Sequence, residues 1–274
     1  MNRLTQPAKG PRVPILMYHQ VVEDGERNRK ARRTNPAYTV TIDRFREQMG
    51  WLAENGYRSL TLDDVLAPGC PLEKGVVITF DDGWADNFSH ALPILGEFGL
   101  GATVFVVTGF VGTTGYLDWE RLREMSGCGI SLQSHTVSHR PLEELGDDEV
   151  AEELGASKKA LEDRLGTAVD FVSMPQGSWN RRILGAARAA GYRGVCTSEP
   201  GFGHSLGTPA VFSRINVADS IPISFFARIA RMDRSFILPV LAATKFKRAV
   251  RSLVGYRMYR LLYRLRYRIN EEGR

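Results

Sequence analysis

Residues 76–83 read Val76-Val77-Ile78-Thr79-Phe80-Asp81-Asp82-Gly83. The apolar run predicts a buried strand. Gly83 permits a sharp turn, so both carboxylates should emerge at the strand's C-terminal end. A second apolar run, Ile130-Ser131-Leu132-Gln133, leads into Ser134-His135-Thr136-Val137-Ser138-His139. Two imidazoles and one carboxylate make a facial site for a divalent ion, with positions left open for water. A second carboxylate beside such a site is the general base that a hydrolase needs. Taken singly, two aspartates before a glycine are commonly a turn, and histidines spaced i, i+4 are commonly surface or packing residues. What sets these apart is their place: each pair sits where a strand ends and a loop begins. In α/β barrels that rim is where chemistry collects.

Outward from these two stretches, strands alternate with helices. Val13 to Tyr18 predicts a first strand, and residues 101–107 another. Phe171 to Met174, Gly194 to Thr197 and Val211 to Val217 supply the later ones. Thr41 to Asn55 predicts a helix, with Ile42, Phe45, Met49 and Leu52 at helical spacing and Gly56 as its stop. Trp119 to Met125 predicts a short helix and Asp147 to Leu165 a long one before Gly166. This alternation is the pattern of a parallel-stranded barrel. Glu23 to Tyr38, rich in arginine, reads as an exposed loop bordering a groove.

In its motifs the chain resembles the polysaccharide deacetylases, also called the NodB-homology domain or carbohydrate esterase family 4. Thr79-Phe80-Asp81-Asp82-Gly83 is similar to the family's first motif and His135 to His139 to its second. Phe171 to Gly177, ending Met174-Pro175-Gln176-Gly177, falls where the third belongs. The resemblance runs from about Val13 to Val217, roughly three quarters of the chain. It implies an α/β fold, an irregular (β/α)7 barrel, and removal of N-acetyl groups from amino sugars of a polysaccharide or glycolipid. Carried over, Asp81 becomes the general base, and Asp82, His135 and His139 the ligands of a divalent metal. That metal would be zinc, with cobalt or nickel also used in the family. The Pro175-Gln176 turn would place a backbone N–H, with the metal, at the oxyanion.

Two departures carry consequences. In many family members the proton for the leaving amine comes from a histidine in a late Leu-Xaa-His motif, yet no histidine follows His204. His19, ending the first strand, is the candidate acid, as in the circularly permuted exopolysaccharide deacetylases that this arrangement resembles. His204 is the second candidate, and His90 reads as a surface or packing residue. The family's third motif usually has an arginine two residues before its proline; here Ser173 stands there. Arg214, on the last strand, either reaches in as its substitute or points outward to a surface ion pair. Trp84 and Trp179 flank the motifs and suit stacking against sugar rings, with buried packing equally open to Trp84.

The expected organisation is an N-terminal extension over 1–12, a deacetylase domain over 13–220 and a helical extension over 221–274. Of 274 residues, 43% are hydrophobic and 24% charged, ordinary for a globular chain. Cys70, Cys128 and Cys196 form no C-x-x-C pair and read as free thiols in or near the core. No signal peptide or membrane-spanning stretch is evident, so a cytoplasmic location is the default, awkward for an exported polysaccharide. The net charge is +5, of which residues 245–274 contribute +8, leaving −3 elsewhere. Val250, Val254, Met258, Leu261, Leu265 and Ile269 share one helical face there, with arginines beside them. Such a basic amphipathic helix would dock on the barrel or associate peripherally with an anionic membrane; nucleic acid is not expected. Two other readings remain beside the N-deacetylase: a catalytically weak carbohydrate-binding relative and an esterase for O-acetyl sugars.

Overall fold

The strand over residues 76–80 lies in the middle of a parallel sheet whose two ends meet on one stretch of chain. The computed structural model describes residues 13–24, 36–201, 204–205, 208–239 and 241–242. Strands β1 (Ile15–Tyr18), β2 (Gly75–Phe80), β3 (Thr103–Val106), β4 (Ser131–Ser134), β5 (Phe171–Ser173) and β6 (Gly194–Cys196) run parallel in the order β1-β2-β3-β4-β5-β6. Residues 210–216 then supply two short strands in one sweep. β7 (Ala210–Phe212) pairs with β6, and β8 (Ile215–Asn216) pairs with β1. That sweep acts as the seventh stave, so the sheet closes into the irregular seven-stranded α/β barrel that the motifs imply.

Period-two alternation fills the barrel from below. Ile15, Val77, Phe105, Phe171, Cys196 and Phe212 belong to one buried cluster. The alternate residues Leu16, Ile78, Val104, Leu132, Val172 and Val195 are buried as well. A strand buried on both faces reads as a continuous apolar run, which is why residues 76–80 carry no polar alternation. Gly194 is required in this interior, because a Cβ there would stand 2.6 Å from the Phe212 ring and 2.7 Å from Phe171.

Helices α1 (Ile42–Glu54), α2 (Leu62–Leu66), α3 (Leu92–Glu97), α4 (Trp119–Gly127), α5 (Asp147–Leu165), α6 (Arg181–Ala189) and α7 (Ile223–Ala230) connect or follow the strands. The Thr41 hydroxyl caps α1, and Gly166, in the left-handed region at φ 69°, ends α5. A π-helical turn, Asn87–Ala91, leads into α3. Beside the barrel, Gln20–Val22 and Thr39–Thr41 form a separate two-stranded parallel sheet.

The chain divides into two compact units, Met1–Met232 and Asp233–Arg274. In the second, residues 234–239 are helical. The basic helix expected over 245–274, with its membrane association, lies outside the described residues, as do residues 1–12 and 25–35. No helix among the described residues is long and apolar enough to cross a membrane. The three cysteines are free, but only Cys196 is buried; Cys70 is half-buried and Cys128 exposed. Cys128 caps the end of α4, where the chain turns outward to solvent.

Candidate active site

The C-terminal ends of the strands bring the predicted residues together. His19 follows β1, Asp81 and Asp82 follow β2, His135 follows β4, and Ser173 ends β5. Asp82 turns at φ 74°, Thr136 at 68°, His139 at 58° and Gln176 at 55°, all in the left-handed region. Such backbone costs of order 1–3 kcal/mol per residue and persists only where its surroundings impose it. Four cases on three motif loops mark this rim as a built site.

Asp82, His135 and His139 converge. Asp82 Oδ1 stands 3.4 Å from His135 Nε2 and 3.3 Å from His139 Nε2. Each contributes one ligand atom, and these three atoms lie within 4.8 Å of one another. The neighbouring atoms show what the gap is for. His135 Nδ1 lies 2.8 Å from the Ser173 carbonyl, to which it donates, so its Nε2 carries the lone pair. The Trp84 indole N–H donates to Asp82 Oδ2 at 3.0 Å. Oδ1 is left buried with no hydrogen-bond donor among the described residues. A buried carboxylate oxygen facing two imidazole nitrogens is costly unless a cation joins them, and this donor set fits a divalent ion. Burial pushes the Asp82 carboxyl up, but the imidazoles of His135 and His139 outweigh it and hold it well below the usual carboxylate range.

Asp81 has a different partner. Arg214 grips both its oxygens, at 2.7 Å each. The remaining N–H groups of Arg214 reach the Ser173 hydroxyl (2.7 Å), the Thr79 hydroxyl (3.2 Å) and the Thr197 carbonyl (3.0 Å). All five donors are thereby satisfied, and the guanidinium stands 5.3 Å from the Phe105 ring centre. Arg214 is 0% exposed, so it has no surface to offer a sugar and acts on the carboxylate instead. Burial raises Asp81, and the Arg214 charge and hydrogen bonds bring it down to about 2. The arginine missing from position 173 is thus replaced from across the barrel, with the Ser173 hydroxyl bonding both Arg214 and Asp81.

The other predicted residues lie at the same rim in different settings. His19 is packed against Tyr38, ring centres 4.3 Å apart, and its Nδ1 is buried with no hydrogen-bond partner among the described residues. Burial lowers its pKa, while Asp82 and Asp81 pull the other way. Trp84 stacks on Tyr116 at 4.4 Å, and Phe110 continues the row. With its N–H on Asp82 Oδ2, Trp84 fixes one of the three converging side chains. Pro175 is buried and Gln176 exposed in the turn Pro175–Gly177, and Trp179 is half-buried beyond it. His90 is half-buried and bonded to the Val21 carbonyl. Sequence reading missed Glu153. This buried carboxylate of α5 accepts from the N–H groups of Val137 (2.8 Å) and Ser138 (2.9 Å) and from the Ser138 hydroxyl, tying down the loop between the two histidines. Its only sequence signal is an acidic helix, which reads as a solvated face.

A seven-stranded α/β barrel with a one-aspartate, two-histidine cluster beside an arginine-held carboxylate defines the class: an α/β-barrel hydrolase. The polysaccharide deacetylase domain matches residues 69–195. The chain is 34% identical over 200 residues to the Bacillus subtilis (strain 168) protein YxkH, named for the polysaccharide deacetylases, covering 72% of this chain and 67% of that one. It is 26% identical over 196 residues to the poly-β-1,6-N-acetyl-D-glucosamine N-deacetylase of Staphylococcus aureus (strain MSSA476), covering 65% of each. The match therefore spans about two thirds of these two relatives. Among solved structures, the Streptococcus pyogenes deacetylase PplD in complex with acetate superposes with a TM-score of 0.73 at 28% identity, over 81% of this chain and 99% of that one. The chain belongs to the polysaccharide deacetylase family.

Proposed function

We propose that this protein removes N-acetyl groups from amino sugars of a polysaccharide or glycolipid, in exopolysaccharide or cell-envelope modification. The observation that carries the reading is Asp81, ionised by Arg214 beside the Asp82, His135 and His139 cluster. Asp82, His135 and His139 would hold a divalent ion, zinc before cobalt or nickel, which when bound would supply Lewis-acid polarisation of the acetamide carbonyl and lower the pKa of a water molecule. Asp81 accepts that water's proton. With a pKa of about 2 it is ionised at any physiological pH, so it stands ready as an acceptor. The Pro175-Gln176 turn presents backbone N–H to the developing oxyanion. His19 gives a proton to the departing amine, a step that amides require because an unprotonated amine anion leaves poorly. The substrate for which the S. aureus relative is named, a β-1,6-linked N-acetylglucosamine polymer, sets the first substrate to try.

The test is acetate release from N-acetylglucosamine oligomers by protein loaded with zinc or cobalt, with Asp81→Asn alongside. Release should depend on the metal and fall at least about 100-fold in the variant, which keeps its metal. Equal turnover in Asp81→Asn would remove Asp81 as the base. Release only from O-acetylated sugars would move the assignment to an esterase. Bound metal with no release from either would favour a carbohydrate-binding relative.

A further inference from the structure

Directly after His19, the chain forms the short strand Gln20–Val22, whose strand partner is Thr39–Thr41. Its other side faces the π-helical turn Asn87–Ala91. Three successive contacts join them. Asn87 Nδ2 donates to the His19 carbonyl (2.8 Å), the Val21 N–H donates to Asp86 Oδ1 (3.2 Å), and His90 Nδ1 donates to the Val21 carbonyl (2.8 Å). Asn87 Nδ2 also donates to Asp86 Oδ1 at 3.1 Å, which links two of the grips. Asp86 and Asn87 are almost wholly buried. π-helical turns are rare and concentrate at functional sites, since their wider winding turns side chains in directions an α-helix cannot. Here the wider turn aims residues 86, 87 and 90 at one strand, a few residues after the loop that supplies Asp81 and Asp82.

His19 needs such a hold. Its Nδ1 makes no hydrogen bond among the described residues, and its ring contact is the face of Tyr38. A proton donor must stand within hydrogen-bond reach of the leaving nitrogen, and a misplacement of about 1 Å costs about 100-fold. With the ring unanchored at Nδ1, its distance to the substrate is set by where the backbone of residues 19–21 is held. We propose that Asp86, Asn87 and His90 are positioning residues for His19, so that one loop sets the base, a metal ligand and the reach of the acid together. This rests on the reading of His19 as the acid.

The experiment compares His19→Ala, Asn87→Ala, His90→Phe and His90→Asn on an N-acetylated oligomer and on an activated acetyl ester, whose leaving group needs no proton. His19→Ala sets the reference, with loss of about 100-fold on the amide and little on the ester. Asn87→Ala and His90→Phe should lower kcat on the amide about tenfold, leaving the ester rate and metal stoichiometry unchanged. His90→Asn, whose amide nitrogen falls where Nδ1 does, should recover most of the loss. In the metal-free protein, the His19 ring signals in a ¹H–¹⁵N spectrum should broaden in His90→Phe and sharpen again in His90→Asn. A folded His90→Phe with an unchanged amide rate, or with equal losses on both substrates, would overturn the proposal. If Asn87→Ala does not fold, the His90 pair decides alone. Equal losses on both substrates in His19→Ala itself would instead sink the acid assignment beneath it.

Discussion

Arg214 is a cation with no exposed surface, and its stability rests on one carboxylate and three neutral oxygens. Breaking a buried pair of this kind leaves the partner charge stranded, typically at a cost of about 3–5 kcal/mol. Arg214→Met should therefore lower the denaturant midpoint by that equivalent and abolish deacetylation; a variant as stable as the parent would mean that Asp81 finds another partner. Arg214→Lys should not rescue it, because a single ammonium cannot span two carboxylate oxygens and still reach Ser173, Thr79 and Thr197. Recovery of activity above about a tenth of the parent in Arg214→Lys would show that charge alone suffices. From the sequence, position 214 was open between two roles, because an isolated arginine in a strand reads the same whether it points into a barrel or out of it. Only closure of the sheet decides the side.

At the scale of elements, α5 does more than cover the sheet. Glu153 reaches from it to the backbone of Val137 and Ser138, between two metal-ligand candidates of which the second sits at positive φ. Glu153→Gln keeps the shape but loses the charge that two N–H groups and a hydroxyl share. Zinc or cobalt affinity, measured by titration of the metal-free protein, should fall about 10–100-fold with the far-ultraviolet spectrum unchanged. Unaltered affinity would show that the loop holds its geometry without this carboxylate. Strands and long helices were readable because apolar runs, Thr41 and Gly166 are local signals. The π-helical turn at Asn87 and the edge strand Gln20–Val22 were not, whereas helix α6 carries local signals in its Asn180 cap and its buried Ile183, Leu184 and Ala187. The turn and the edge strand depend on bonds to distant residues, and Asn and His in those stretches have no periodicity that announces such bonds.

Across the whole molecule, burial separates three cysteines that composition treats alike. Burial pushes the Cys196 thiol up from 9.0 to about 12, so the folded state favours its neutral form. The stability it contributes is present below pH 9, where the unfolded chain also keeps its proton, and is lost as pH rises from about 9 towards 12. At pH 8 an alkylating reagent should modify exposed Cys128 readily and leave Cys196 untouched until denaturant is added; rapid labelling of Cys196 in the native protein would contradict its place in the core. The barrel's last stave has a consequence of its own. Residues 210–216 complete the sheet and, in the same stroke, deliver Arg214 to Asp81. A chain emerging from the ribosome has both aspartates and both histidines long before it has this arginine, so the carboxylate stays unsteered until the final strand docks. Assembly itself thus acts as the safety catch, and any loosening of that one seam would silence the enzyme before the rest of the fold gives way.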